Sequence, residues 1–178
     1  MFDSNTFRDE AEQARGEYRQ TSQSIEASAD YTVDAKQRMI AEAREATERK
    51  LADIRVREDR AREDRISVLR RRLVGRPSVD TSNEISWRDA ADRVASLETE
   101  EQAITLLNQA LDNSDGPLIR TILRAGYDRA WAGVINTYTA AKSYDYDDAE
   151  ELWSLVTHNA QNGDDIKAKL FRDLAYAL

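Results

Sequence analysis

The most constraining feature of this chain is the stretch from Val33 to Leu73, which holds no glycine and no proline and is dominated by Ala, Arg, Glu, Lys and Ile. All of these residues are compatible with helix, and nothing within the stretch stops one. At about 1.5 Å per residue such a helix runs roughly 60 Å, longer than a typical globular helix. Thr32 is placed to cap its start, with Asp34 in the first turn where the helix dipole favours a carboxylate. Gly75-Arg76-Pro77 ends it, since Gly suits the position after a helix and Pro cannot continue one.

The long helix can serve as partner to a shorter one upstream. Val33, Ile40, Thr47, Leu51 and Ile54 form an apolar stripe over its first half, and upstream Phe7, Ala11, Ala14, Tyr18, Thr21, Ile25 and Ser28 alternate steps of four and three on one face of a shorter helix. The stripe of the short helix is too thin to support it alone. The short helix can fold back along about half of the long one as an antiparallel hairpin, or the stripes can pair across a homo-oligomer. Beyond Ile54 the stripe fades into RVREDRAREDRISVLRRRLVG, where REDRA at 57–61 is followed by REDRI at 62–66. A five-residue repeat advances about 140° per unit, so neither sign of charge collects on one face. Glu or Asp to Arg pairs three or four apart then suggest a solvated helix laced by weak ion pairs.

Composition divides the chain at the same place. Residues 1–74 carry 16 Lys and Arg against 16 Asp and Glu, while residues 75–178 carry 10 against 18, so the net charge of −8 belongs to the second part. Trp87, Trp131 and Trp153 lie there too. Residues 75–85, GRPSVDTSNEI, read as a linker, and residues 86–178 as a compact acidic helical bundle. Its expected helices begin at Trp87 after a Ser86 cap, at Glu100 after Thr99, at Pro117, near Asp147 and near Asp164. The one from Pro117 is expected to run to Tyr138 as the central helix, because its apolar positions come in pairs. Gly126 and Gly133 on it suggest close helix contacts. The predicted fold is therefore all-α: an N-terminal long helical hairpin or coiled-coil-like rod, then a small C-terminal bundle.

Little in the chain points to catalysis. There is no cysteine, hence no disulfide, thiolate nucleophile or Cys-based metal site, and His158, the single histidine, has no second ligand at a metal-binding spacing. Asp145 and Asp147 match only the opening of a calcium-loop pattern, with no glycine at its sixth position. Asp145 or Asp147 is better placed to cap a helix with Asp148 in its first turn. No phosphate-binding loop or nucleophile motif is present. The expectation is a protein with no cofactor, no metal and no enzymatic activity. No leader-like segment and no stretch approaching about 18 apolar residues occurs, so neither a signal peptide nor a membrane span is expected. Arg70-Arg71-Arg72 is the one run of like charge at the end of the long helix, but Glu58, Asp59, Glu63 and Asp64 interleave with the arginines before it. Nucleic-acid binding, which needs a net positive field, is thus the alternative rather than the leading reading.

The segment Ser24-Ile25-Glu26-Ala27-Ser28 through Tyr31-Thr32-Val33-Asp34-Ala35-Lys36-Gln37-Arg38-Met39-Ile40-Ala41-Glu42-Ala43, then Lys50-Leu51, resembles small helical virion structure and assembly proteins of tailed bacteriophages and prophages of actinobacteria. In those a short helix ends in an I-E-x-[SD] turn, and a T-x-[DE]-A-K-[RQ]-R-x-I-A-E word opens a long charged helix. The resemblance covers roughly residues 15–55 and carries over no functional residue. It implies a scaffold, a capsid-associated or decoration protein, or a head–tail connection component, located in the virion or the host cytoplasm. Expected partners are a second copy of the chain and another virion protein whose basic surface faces the acidic bundle. The expected contact residues are Phe7, Tyr18, Ile25, Ile40, Leu51 and Ile54 on the stripes, Arg70, Arg71 and Arg72 on the long helix, and Asp145, Asp147 and Asp148 on the bundle.

Overall fold

The computed structural model describes residues 2–77, 84–160 and 175–178, with side chains of the second stretch as far as Thr157. Among these residues the secondary structure is helical, without strands: α1 (Asn5–Ala27), α2 (Val33–Val74), α3 (Glu84–Ala95), α4 (Glu100–Asp112), α5 (Gly116–Asp128), α6 (Ala132–Ala141) and α7 (Tyr146–Ala160), with one 3-10 turn at Ser143–Asp145. The predicted all-α class and the order of long helices before a bundle are both found. The expected helix near Asp164 lies outside the described residues except at its end.

The chain forms two compact units, and the division falls inside α2, between Glu63 and Asp64, not at the predicted 75–85 linker. The first unit contains α1, α2 as far as Glu63, and residues 175–178. The second contains α2 from Asp64 onward and α3 to α7. The reason is that the last turns of α2 are not solvated, as the fading stripe suggested. Leu69, Leu73 and Val74 are buried there, and burying a leucine side chain contributes about 1.5–3 kcal/mol.

In the first unit α1 returns antiparallel along α2. The Thr32 hydroxyl accepts from the Ala35 amide at 3.3 Å, so the predicted cap of α2 is present. The pairing is fixed by Lys50 to Glu17 at 2.9 Å and Arg57 to Glu10 at 2.6 Å, with the Lys36 ammonium on the Glu26 carbonyl at 2.7 Å near the turn. Between the helices Ala11, Ala14, Leu51 and Ile54 form a closed core, flanked by Phe7. Val33 is 71% exposed and belongs to no stripe, and Thr21 is exposed while Ser22 takes the half-buried position.

In the second unit α5 packs against α3, α4, α6 and α7 and is the hub of the core. Its buried face is Leu118, Ile119, Ile122, Leu123, Gly126 and Tyr127. The expected single helix from Pro117 to Tyr138 is instead two helices, broken at Arg129–Trp131. Ala130 adopts φ 56° and the Trp131 amide donates to the Gly126 carbonyl at 2.8 Å, which is the left-handed helix-ending motif usually built on glycine. The break lets the second half of the apolar stripe fold back on the first. A Cβ on Gly126 would lie 2.9 Å from Cγ1 of Val134, so this glycine does provide the close approach its position suggested. The same ending closes α4, where Ser114 has φ 54° and the Asp115 amide donates to the Ala110 carbonyl at 2.9 Å.

The starts of these helices follow local rules. Thr99 and Gln102 form a reciprocal capping box on α4, and the Asp115 carboxylate accepts from the Leu118 amide at 3.1 Å ahead of Pro117. The predicted Ser86 cap is not used, because α3 already begins at Glu84. The Glu100 carboxylate, in the first turn of α4, accepts the Gly133 amide at the start of α6. One anion there serves two helix N-termini.

Candidate functional site

Arg65 and Arg72 lie seven residues apart on α2, and Asp148 and Glu151 lie three apart on α7, so each pair projects from one helix face. The two faces meet. Arg65 grips Glu151 through two parallel hydrogen bonds, Nε to Oε1 at 2.9 Å and Nη2 to Oε2 at 2.7 Å, and its Nη2 is 3.8 Å from Asp148. Arg72 reaches Asp148 at 2.5 Å. The Glu151 side chain is only 7% exposed, so its charge depends on the guanidinium. The hydrogen bond to Glu151 raises the Arg65 pKa further above its ordinary value, opposed by burial. Arg70 stands 3.6 Å from Asp128 of α5.

The C-terminal end of α2 is held by arginines from α5. A helix end leaves its last carbonyls without internal partners. Arg120 donates to the carbonyls of Arg72, Leu73 and Gly75 at 2.9, 3.3 and 3.1 Å, and Arg124 donates to that of Val74 at 2.9 Å. Gly75 suits this end for a steric reason, because a Cβ there would collide with the Arg71 carbonyl oxygen. The Arg76 guanidinium lies 5.4 Å over the Trp87 ring. The predicted linker thus begins inside a structured contact.

These contacts decide the fate of the expected partner-binding residues. Arg70 and Arg72 face carboxylates of their own chain, while Arg71 is exposed. Asp148 is engaged by arginine, Asp145 accepts the Tyr138 hydroxyl at 2.5 Å, and Asp147 is exposed in the first turn of α7. Ile25, Leu51 and Ile54 are buried and Phe7, Tyr18 and Ile40 half-buried within the hairpin unit, so the stripe pairs within the chain. The His158 side chain lies outside those described.

A second constellation, unforeseen in the sequence, lies in the hairpin unit. Tyr176 packs against the Ala11, Ala14, Leu51 and Ile54 core, and its hydroxyl donates to Oε2 of Glu58 at 2.7 Å. Arg15 of α1 donates through Nε to the Ala177 carbonyl at 2.8 Å and through Nη2 to the Ala175 carbonyl. Burial and then the Glu58 carboxylate push the Tyr176 phenol well above its ordinary pKa. Beside this contact a cleft is lined by Arg44, Glu48, Ala52, Val56 and Leu178.

One sequence signal could have revealed both constellations. Ala43, Ile54 and Arg65, then Thr47, Glu58 and Leu69, then Leu51, Arg62 and Leu73 recur at eleven-residue spacing, which keeps one face on a nearly straight helix. The buried stripe does not fade after Ile54; its middle positions become charged.

Among the described residues no three His, Asp or Glu converge to hold a metal ion, and no helix is long and apolar enough to cross a membrane. The arrangement defines an all-α chain of two units whose most buried ionic groups brace helices against one another. In comparisons with family models, curated proteins and solved structures, no family model matches the chain and neither search finds a related protein.

Proposed function

We propose that this chain is a non-enzymatic structural or assembly protein that works through protein–protein contacts, self-associating and binding a partner with a basic surface. The tailed-phage virion is the setting that the resemblance of residues 15–55 implies, with a scaffold, capsid-associated or connector role. The observation that carries the reading is the edge formed where α6 gives way to α7. Tyr144 is 74% and Tyr146 51% exposed, and Asp147 beside them is exposed as well. Intrachain packing leaves these two aromatics largely unused, and tyrosine is a residue that interfaces favour because it offers a rigid ring with a polar tip. Arginine on a partner could stack on either ring and meet the carboxylate. Of the arginines that would favour a nucleic-acid reading, Arg70 and Arg72 pair with Asp128 and Asp148 and Arg71 is exposed.

Light scattering on the purified chain, together with fluorescence polarisation against duplex DNA over a range of salt, tests the proposal. Species larger than a monomer at micromolar concentration and weak, sequence-independent DNA binding are expected. A strict monomer that binds DNA tightly, with affinity falling steeply with salt, would overturn it in favour of a nucleic-acid module.

A further inference from the structure

We propose that the α1–α2 hairpin carries a peptide-recognition site, filled within the chain by Ala175–Leu178, and that the same segment of a second copy occupies it in the self-associated protein. The site has the parts that such recognition needs. Ala11 and Ala14 are small, and the Tyr176 ring packs as an anchor against the core they form with Leu51 and Ile54. Arg15 reads the main chain on both sides of that anchor, at the Ala175 and Ala177 carbonyls. Glu58, a nearly buried carboxylate, accepts the tyrosine hydroxyl. These contacts select a tyrosine between small residues with unencumbered carbonyls. An emptied site would take the tyrosine hydroxyl from the nearly buried Glu58 carboxylate, so reoccupation is favoured.

The ligand segment reaches the hairpin from the far end of the sequence: Ala177 is 162 residues from Arg15. It belongs to neither α1 nor α2, so a second copy can offer the same atoms without disturbing either helix. Two copies that exchange it give and receive identical contacts, which closes the assembly as a symmetric pair. This inference deepens the self-association part of the proposed function and rests on it.

The test uses the full-length Tyr176→Ala chain and a fluorescein-labelled octapeptide of residues 171–178, FRDLAYAL, read by fluorescence polarisation. Saturable binding is expected, weaker by about tenfold or more when the peptide tyrosine is replaced by phenylalanine or the chain also carries Arg15→Met. Circular dichroism checks that helix content is kept. If Tyr176→Ala loses it, Tyr176→Phe, which removes only the hydroxyl, takes its place and is expected to bind the same peptide. Peptide that fails to bind a folded variant, or binds equally well after both changes, overturns the inference. Light scattering separates the two readings. Wild-type oligomers that persist unchanged in Tyr176→Ala sink the exchange and leave the assembly role intact, whereas a wild type that is monomeric at every concentration sinks both.

Discussion

Replacing Ala130 by glycine puts the break between α5 and α6 to the test, because the two possible structures predict opposite signs. Ala130 sits at φ 56°, where an L-residue with a Cβ is disfavoured by about 1–2 kcal/mol. Glycine escapes that cost but loses about 0.4–1 kcal/mol through the greater freedom of its unfolded chain. The net expectation is a stabilisation of about 0.5–1 kcal/mol. Had Gly116 to Ala141 formed one continuous helix, a mid-helix glycine in place of alanine would destabilise by about 1 kcal/mol instead. Urea unfolding followed by tryptophan fluorescence is the suitable assay, since Trp87, Trp131 and Trp153 all lie in the α3–α7 unit and report on it alone. The midpoint is expected to rise with an unchanged slope, and the melting temperature to rise by roughly 2–6 °C. Ala130→Val is the counter-probe, because a β-branched side chain is a poor occupant of the left-handed region and should lower the midpoint. A fall on glycine substitution would refute the break and the fold-back of α6 onto Gly126 that depends on it.

Three further outcomes are expected. Arg65→Ala leaves the Glu151 carboxylate buried without its bidentate partner and should destabilise the bundle unit by about 1–4 kcal/mol, whereas Arg65→Met with Glu151→Leu should recover most of that loss in the same urea assay. Gly75→Ala forces a shift at the end of α2 and should cost about 1–3 kcal/mol, with faster amide exchange in the last turn of α2 as its signature. Burial pushes the Tyr127 phenol above its ordinary value of 10.0, with the neighbouring carboxylates of Glu150, Asp145 and Asp148 adding to the effect. A phenol whose folded pKa is raised contributes stability that is complete below pH 10 and is lost as pH climbs beyond it. Tyr127→Phe gives up the hydrogen bond to the Ala149 carbonyl at neutral pH, about 1 kcal/mol, but should flatten the alkaline decline in melting temperature; an equally steep decline in the variant would contradict the assignment.

The ends of α2 were legible in the sequence because they are local: Thr32 and Asp34 open it and Gly75-Arg76-Pro77 closes it through contacts within a few residues. The start of α4 after Thr99 and that of α5 at Pro117 were legible for the same reason. The antiparallel return of α1 was readable as one of two options, and the choice between chain and neighbour lay in the third dimension. Ala130 looked like a helix interior, since alanine favours helix and the apolar positions around it continue without pause. Its left-handed turn is imposed by the packing of Val134 against Gly126, which outweighs the local preference.

Sequence alone therefore determined the helical class, the long α2 and the absence of a recognisable catalytic motif, all of which follow from propensity, capping and residue type. Tertiary structure alone decided which charges became structural. Arg65 is as well solvated in the sequence repeat as Arg60, and only Glu151, 86 residues away, makes it a brace. Glu58 and Arg15 likewise acquire their meaning from Tyr176 and its neighbours at the other end of the chain. The eleven-residue spacing marks the face of α2 on which Arg65 and Glu58 lie, but a buried charge is stable only opposite its counter-charge, and the fold alone supplies that partner.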